Sequence, residues 1–69
     1  MKFAERLQQE RTKKGVTQNE MAKLLGVKLR AYQYYESGKH NPTFDALVVL
    51  ADYFDVTTDY LLGRTDNPK

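Results

Sequence analysis

The 69-residue sequence has no cysteine, no tryptophan and a single histidine, His40. Without cysteine the chain can form neither a disulfide nor an iron–sulfur cluster, and it has no thiol nucleophile. A zinc site would have only His40 and carboxylates as ligands, so we expect no metal site and no cofactor. A single domain of this length has a small core, which rarely supplies more than about 3–5 kcal/mol of stability. Such a fold depends on close local packing, and this favours helices.

Long apolar segments are also missing from the sequence. The longest apolar run extends from Ala46 to Ala51, far below the roughly 18 residues that a membrane span requires. Glu5 and Arg6 interrupt the stretch in which the apolar part of a signal peptide would have to lie. The hydrophobic fraction of 41% and the charged fraction of 29% are those of an ordinary globular domain. We expect a cytoplasmic protein with no membrane partner.

The net charge of +2 is distributed unevenly along the chain. Residues 1–40 carry nine lysines and arginines against four glutamates, a net charge of +5. Residues 41–69 carry two lysines and arginines against five aspartates, a net charge of −3. This division indicates one face that meets a polyanion and another that faces solvent or a partner. The alternative is a solvated surface whose asymmetry arose by chance.

Apolar residues recur at helical spacing, and no stretch alternates for long enough to form a strand. Thr17 and Glu20 have the spacing of a capping box, which marks a helix start. We predict an all-α domain of five short helices, of which the first ends near 14, the second covers about 18–25, the third about 29–37, the fourth about 44–54, and the fifth lies between 57 and 63. The domain is expected to comprise residues 1–63, and residues 64–69 are expected to be a C-terminal tail or linker stub.

The fourth helix is predicted to bury an apolar face made of Phe44, Leu47, Leu50, Ala51 and Phe54. Leu61 and Leu62 of the fifth helix are expected to point inward as well. Val49 and Tyr53 then fall on the outer side of the fourth helix, and Tyr60 begins the fifth helix nearby. Apolar side chains gathered on an outer face indicate a buried contact, so we predict a dimer interface at Val49, Tyr53 and Tyr60. The alternative is that these side chains lie flat over the surface.

Residues 18–37 combine a two-turn helix, a tight turn at Gly26 and a second helix of two to three turns. Gly26 can take the positive φ that reverses the chain at little cost. Ala22 lies where the two helices would cross most closely. The second helix is left with an exposed face made of Lys28, Leu29, Arg30, Gln33 and Tyr34. A helix-turn-helix of this kind presents its second helix to the major groove of B-DNA.

These motifs resemble those of the Cro/phage-repressor type (XRE-type) helix-turn-helix transcription regulators over about residues 3–63. The matching motifs are L-x-x-x-R at 7–11, G-V-T-Q at 15–18, M-A-K-L-L-G-V at 21–27, Y-Y-E-S-G-K at 34–39, N-P-T at 41–43 and D-Y-L-L-G-R at 59–64. The resemblance implies a compact five-helix, lambda-repressor-like fold that binds operator DNA as a dimer. Since relatives pair through the C-terminal region, a homodimer is expected, either in free solution or only on DNA.

The sequence departs from the family pattern at the start of the recognition helix. Lys28 stands where a serine or threonine normally caps this helix, and the lost acceptor costs about 1 kcal/mol. Leu29 stands where a polar base-reading residue is common. An exposed leucine there meets either a thymine methyl group or a neighbouring apolar group. The operator sequence therefore does not follow from the family.

The predicted DNA contacts are Gln18, Lys28, Leu29, Arg30, Gln33, Tyr34 and Lys39. The resemblance places a DNA contact at Gln18 and phosphate contacts in the loop that contains Lys39. Arg30 can donate two hydrogen bonds to guanine O6 and N7, or it can contact phosphate without sequence preference. Gln33 can reach an adenine or a phosphate. Tyr34 is left open between recognition and packing.

We predict a sequence-specific DNA-binding transcription regulator, in particular a repressor that binds a palindromic operator as a dimer. The alternative is a protein-interaction adaptor of the same fold, antitoxin-like or antirepressor-like, which the exposed Leu29 slightly favours. No enzymatic activity is expected, because the only serine, Ser37, has no assigned base and no glycine-rich phosphate loop is present. Glu36 is expected to pair with a basic residue inside the fold.

Overall fold

The computed structural model describes residues 2–69, and within them it contains five α-helices and no strand. The helices are α1 Lys2–Lys14, α2 Gln18–Leu25, α3 Leu29–Ser37, α4 Phe44–Phe54 and α5 Thr58–Leu62. The predicted all-α architecture of five short helices is confirmed. No helix in this part of the chain is long and apolar enough to cross a lipid bilayer.

Threonine hydroxyls determine where three of the helices begin. Thr17, Thr43 and Thr57 precede α2, α4 and α5, and each hydroxyl accepts a hydrogen bond from the backbone N–H three residues later, at 3.0–3.1 Å. In α2 the Glu20 carboxylate accepts in return from the Thr17 backbone N–H at 3.0 Å. This bond to the backbone lowers the pKa of Glu20. The predicted capping box is therefore confirmed.

Each helix ends at a residue whose backbone adopts the left-handed conformation, and Gly26 and Asp55 show two residue types that allow it. Gly26 ends α2 with φ +68°, a conformation that costs glycine little because it has no Cβ. α4 ends instead at Asp55, the one non-glycine residue among 2–69 with positive φ, at +57°. Aspartate tolerates this region better than most residues because its short polar side chain can bond locally. The chain can therefore turn from α4 into α5 without a glycine.

The core is formed where α1 meets the other helices. Helix α1 packs against both α3 and α5, and α2 packs against α3. The buried cluster consists of Phe3, Leu7, Met21, Ala22, Tyr32, Leu50, Ala51, Phe54 and Leu61. Because the inner side of α3 contributes Tyr32 to this cluster, the opposite side of α3 faces outward. The α2–turn–α3 unit is thus held on α1 with one face of α3 left free.

Two inward positions predicted for α4 and α5 are wrong. Phe44 is 88% exposed and Leu62 is 45% exposed. Phe44 is the first residue of α4; Leu47 packs against the core while partly buried, and full burial begins about two turns after Phe44, at Leu50 and Ala51. In α5 only Leu61 reaches the core, because a helix of five residues presents just one inward side chain there. Helical periodicity thus identified the face but not how far the core extends along it.

The residues after α5 are held against the domain. The Arg6 guanidinium donates to the backbone oxygens of Tyr60 and Thr65 and to the carboxylate of Asp66. The Thr57 backbone N–H donates to the Pro68 oxygen at 2.9 Å. Lys69 pairs with Asp55, which lowers the pKa of that exposed carboxyl. The C-terminal residues therefore follow the surface of α1 and α5.

Candidate nucleic-acid interface

The turn between α2 and α3 is built around Ala22 and Gly26. The backbone N–H of Gly26 donates to the Lys23 oxygen at 3.2 Å, and the N–H of Val27 donates to the Ala22 oxygen at 3.0 Å. Ala22 is buried in the core cluster, and Val27 packs against that cluster. A small side chain at Ala22 lets the two helices approach closely. These contacts fix the angle between α2 and α3.

The outer face of α3 carries the side chains predicted from the sequence. Lys28, Leu29, Arg30 and Gln33 are exposed, and Tyr34 is half-buried. Leu29, the first residue of α3, is 37% exposed. Neither Lys28 nor Arg30 enters an ion pair within residues 2–69. Both cationic groups therefore remain available to an external anion.

The start of α3 has the electrostatic character of an anion-binding helix end. Lys28 occupies the N-cap without a side-chain hydrogen bond, as predicted from its departure from the usual serine or threonine. No acidic residue lies in the first turn. Backbone N–H groups and the helix dipole at this end therefore act together with Lys28 and Arg30, and all of them favour a phosphate oxygen.

The only acidic residue of α3, Glu36, is turned away from this face and into the fold. Its side chain is 5% exposed and pairs with Arg11 of α1, whose Nε and Nη2 donate at 2.6 and 3.3 Å. The Tyr32 hydroxyl also donates to Glu36, as does Nε2 of Gln18 in α2, at 3.1 Å. The predicted internal basic partner is confirmed as Arg11. One carboxylate thus joins α1, α2 and α3.

Charge and burial in this network shift two pKa values. The hydrogen bond to Glu36 raises the pKa of the Arg11 guanidinium. Burial raises the pKa of the Tyr32 hydroxyl, and its hydrogen bond to Glu36 raises it further. Both shifts keep the two donors protonated over a wide pH range. This Glu36 network therefore links α1, α2 and α3 beneath the exposed face of α3.

Two of the predicted DNA contacts, Gln18 and Gln33, are hydrogen-bonded to the Glu36 network. Gln33 on the exposed face donates through Nε2 to Oε1 of Gln18 at 3.3 Å, while Gln18 donates to Glu36. Sequence analysis placed Gln18 and Gln33 on the candidate interface but missed the connection between them. The part of this network that the sequence could have indicated is the contact between Tyr32 and Glu36, because their spacing of four residues places both on one side of α3. The amide of Gln18 is thereby held in one orientation.

Tyr34 lies with the loop that follows α3. The Lys39 ammonium lies 5.0 Å from the centre of the Tyr34 ring, and the His40 ring packs edge-on against it at 5.0 Å. Backbone N–H groups of both loop residues donate to the Tyr34 oxygen, at 3.0 and 3.3 Å. The structure therefore brings Tyr34 together with Lys39, and it adds His40, which is not among the DNA contacts predicted from the sequence.

Of the three residues predicted for the dimer interface, Val49 and Tyr53 lie one turn apart on α4, whereas Tyr60 lies on α5. Val49 is 40% exposed, whereas Tyr53 and Tyr60 are half-buried. The Lys14 ammonium lies 4.7 Å from the ring centre of Tyr53, and the Arg6 guanidinium lies 4.2 Å from that of Tyr60. Arg6 and Lys14 are about 12 Å apart along α1 at 1.5 Å per residue. The two tyrosines thus contact opposite halves of α1.

Comparisons with known proteins agree with this geometry. A profile of a helix-turn-helix family matches residues 7–61. The chain is 47% identical over 60 residues to the HTH-type transcriptional regulator AnsR of Bacillus subtilis, covering 87% of this chain and 52% of AnsR. It is 42% identical over 64 residues to the cryptic phage CTXphi transcriptional repressor RstR of Vibrio cholerae, covering 93% of this chain and 57% of RstR. The chain therefore spans little more than half the length of these relatives.

A solved structure gives the same answer for the fold. The DNA-binding domain of the P22 c2 repressor superposes with a TM-score of 0.80 at 27% sequence identity. The superposition covers 90% of this chain and 82% of that domain. The predicted five-helix, repressor-like fold is confirmed.

Proposed function

The chain belongs to the helix-turn-helix family, and from this premise we propose that it binds duplex DNA sequence-specifically and regulates transcription as a repressor in the cytoplasm. The carrying observation is the outer face of α3, which offers Lys28 and Arg30 without an exposed carboxylate because Glu36 is buried against Arg11. A helix of this kind fits the major groove of B-DNA. The proposal includes no catalytic step and no cofactor.

The proposal assigns different kinds of contact to different side chains. Arg30 donates two hydrogen bonds to O6 and N7 of a guanine, and Leu29 contacts the methyl group of a thymine. Lys28, Lys39 and the amino-terminal end of α2 at Gln18 contact phosphates, which position the domain on the duplex. Gln33 and Tyr34, which lie between these groups, contact a base edge or the adjacent backbone.

The experiment that tests this assignment is Arg30→Ala. We expect binding to the preferred site to weaken by about 1–3 kcal/mol and discrimination to be relaxed at one base position. Lys39→Ala should instead weaken all sequences similarly, because a phosphate contact carries no base information. Fluorescence anisotropy with the preferred and a scrambled duplex measures both. Arg64→Ala removes the same charge far from α3 and serves as the control. Equal losses on both duplexes for Arg30→Ala would show that Arg30 contacts only phosphate.

We further propose that two copies bind a palindromic operator through Val49, Tyr53 and Tyr60. A two-fold dimer formed through α4 and α5 would carry two α3 helices onto half-sites about 34 Å apart, one turn of B-DNA. The exposed Val49 supports this interface, as does the position of Tyr53 one turn further along α4. The contact is small, so pairing on DNA is part of the proposal.

The double variant Val49→Lys, Tyr53→Glu tests the interface. It leaves the net charge unchanged, so electrostatic attraction to DNA is preserved. Binding to a full palindrome should lose cooperativity and approach the affinity for a single half-site, while circular dichroism shows an intact fold. The matched control, Gln8→Lys with Gln9→Glu on the exposed side of α1, introduces the same charges elsewhere. Unchanged cooperative binding would rule out this interface and direct attention to residues 61–69.

A protein-interaction adaptor of the same fold is the second candidate function. Two exposed leucines favour it, Leu24 at 41% and Leu29 at 37% exposure. Salt distinguishes the two functions. DNA binding should weaken with a slope of about −0.9 per phosphate contact in log K against log salt concentration, whereas an apolar protein contact should barely respond.

A further inference from the structure

An open groove lies between α3 and the loop that follows it. It is lined by Lys28, Arg30, Ala31, Tyr34, Tyr35, His40 and Asn41. Two of these side chains are permanently cationic, two are phenols and one is an amide, and none is a carboxylate. A groove with this lining attracts an anion. Histidine is the side-chain type whose charge changes near neutral pH, and His40 is the one histidine of the lining.

The position of His40 in this groove is fixed by Tyr34. The backbone N–H of His40 donates to the Tyr34 oxygen at 3.3 Å, and the two rings pack edge to face with their centres 5.0 Å apart. The Lys39 ammonium lies 5.0 Å from the same tyrosine ring. His40 itself is exposed. The backbone of His40 is therefore held by a hydrogen bond and its imidazole by a contact with the Tyr34 ring, while the side chain remains exposed to solvent.

We propose that this groove is a phosphate subsite in which His40, when protonated, contacts a DNA phosphate oxygen, so that DNA affinity increases as the pH falls. The inference rests on the proposed function, because the phosphate belongs to the bound duplex. A phosphate in the groove places a negative charge near the imidazole, and a nearby opposite charge favours the imidazolium. DNA binding is then coupled to uptake of one proton by His40.

The sign of the coupling follows from linkage. The bound complex holds the proton more tightly than the free protein, so affinity rises as the pH decreases through the imidazole range. Each unit by which DNA raises the titration midpoint corresponds to about a tenfold change in affinity. We therefore expect the protein to bind DNA about five- to tenfold more tightly at pH 6 than at pH 8.

The test compares the wild-type chain with His40→Gln at the two pH values and constant ionic strength. The ligands are the preferred duplex and a scrambled duplex, because a phosphate contact affects both. His40 is the only histidine, so no second imidazole contributes to the comparison. The α-amino group, which titrates near pH 7.7–8.0, is present in both proteins and its contribution cancels. His40→Gln should bind with nearly the same affinity at pH 6 and pH 8, while Lys39→Gln should weaken binding but retain the pH dependence.

Nuclear magnetic resonance provides a measurement that needs no variant. A single histidine gives one set of imidazole resonances, whose titration midpoint should move to higher pH when duplex DNA is added. A midpoint that stays the same, or a pH dependence that His40→Gln shares with the wild type, would overturn the subsite while leaving DNA binding intact. Absence of binding to either duplex at both pH values would instead overturn the proposed function.

Discussion

Replacing Glu36 with alanine should lower the free energy of unfolding by about 3–5 kcal/mol, because a buried charge pair loses one partner. The Glu36 carboxylate accepts hydrogen bonds from Arg11, Tyr32 and Gln18, and the variant leaves all three donors without it. The core of a domain of this size rarely supplies more than about 3–5 kcal/mol of stability. Most of the population is therefore expected to be unfolded at room temperature. Urea denaturation followed by circular dichroism measures the change.

Two control variants separate the loss of this network from a general loss of acidic charge. Glu5→Ala removes an exposed glutamate of α1 and should change stability by no more than about 0.5 kcal/mol. The paired variant Arg11→Met, Glu36→Leu replaces both charges with apolar groups and should recover most of the stability lost in Glu36→Ala. A Glu36→Ala protein as stable as Glu5→Ala would contradict the role assigned to the network.

Ala22→Leu should destabilise the domain and abolish DNA binding, including binding by the molecules that remain folded. Ala22 is 4% exposed, and its backbone oxygen accepts from the N–H groups of Gly26 and Val27 in the turn. Three additional carbons there would force α2 away from α3, and overpacking of this kind costs about 1–3 kcal/mol. Even a partial shift would change the angle of α3, so DNA affinity should fall more than the folded fraction does.

The comparison variant for Ala22→Leu is Lys23→Leu, which places the same side chain on the exposed surface of the same helix. Thermal unfolding should show a lowered melting temperature for Ala22→Leu and little change for Lys23→Leu. A stable Ala22→Leu protein that still binds DNA would mean that close approach of the helices at Ala22 is not what orients α3.

The sequence predicted the helix limits well because the signals that fix them are local. A threonine hydroxyl reaches the backbone three residues later, so Thr17, Thr43 and Thr57 identify helix starts without knowledge of the fold. The burial of Phe44 was mispredicted because the depth of a helix in the core depends on its neighbours. The bonds from Arg6 to residues 60–66 were not predicted, since they join opposite ends of the chain.

The candidate site shows the same division between local and distant information. The exposed face of α3 follows from helical spacing within one motif, and the structure places Lys28, Leu29 and Arg30 on it. The partner of Glu36 could be anticipated only as a basic residue, because the choice of Arg11 depends on how α1 crosses α3. Likewise, the contact between His40 and Tyr34 depends on the turn after α3, whose direction the sequence pattern does not specify.

Selection of bound duplexes from a random pool at moderate salt tests most directly whether α3 reads a DNA sequence. Selection requires no previous knowledge of the operator. We expect a palindromic consensus whose half-site centres are about 10–10.5 base pairs apart, with a guanine in each half-site that loses its preference in Arg30→Ala. A pool that shows no enrichment after repeated rounds, from a protein confirmed to be folded, would contradict sequence-specific DNA binding by this chain.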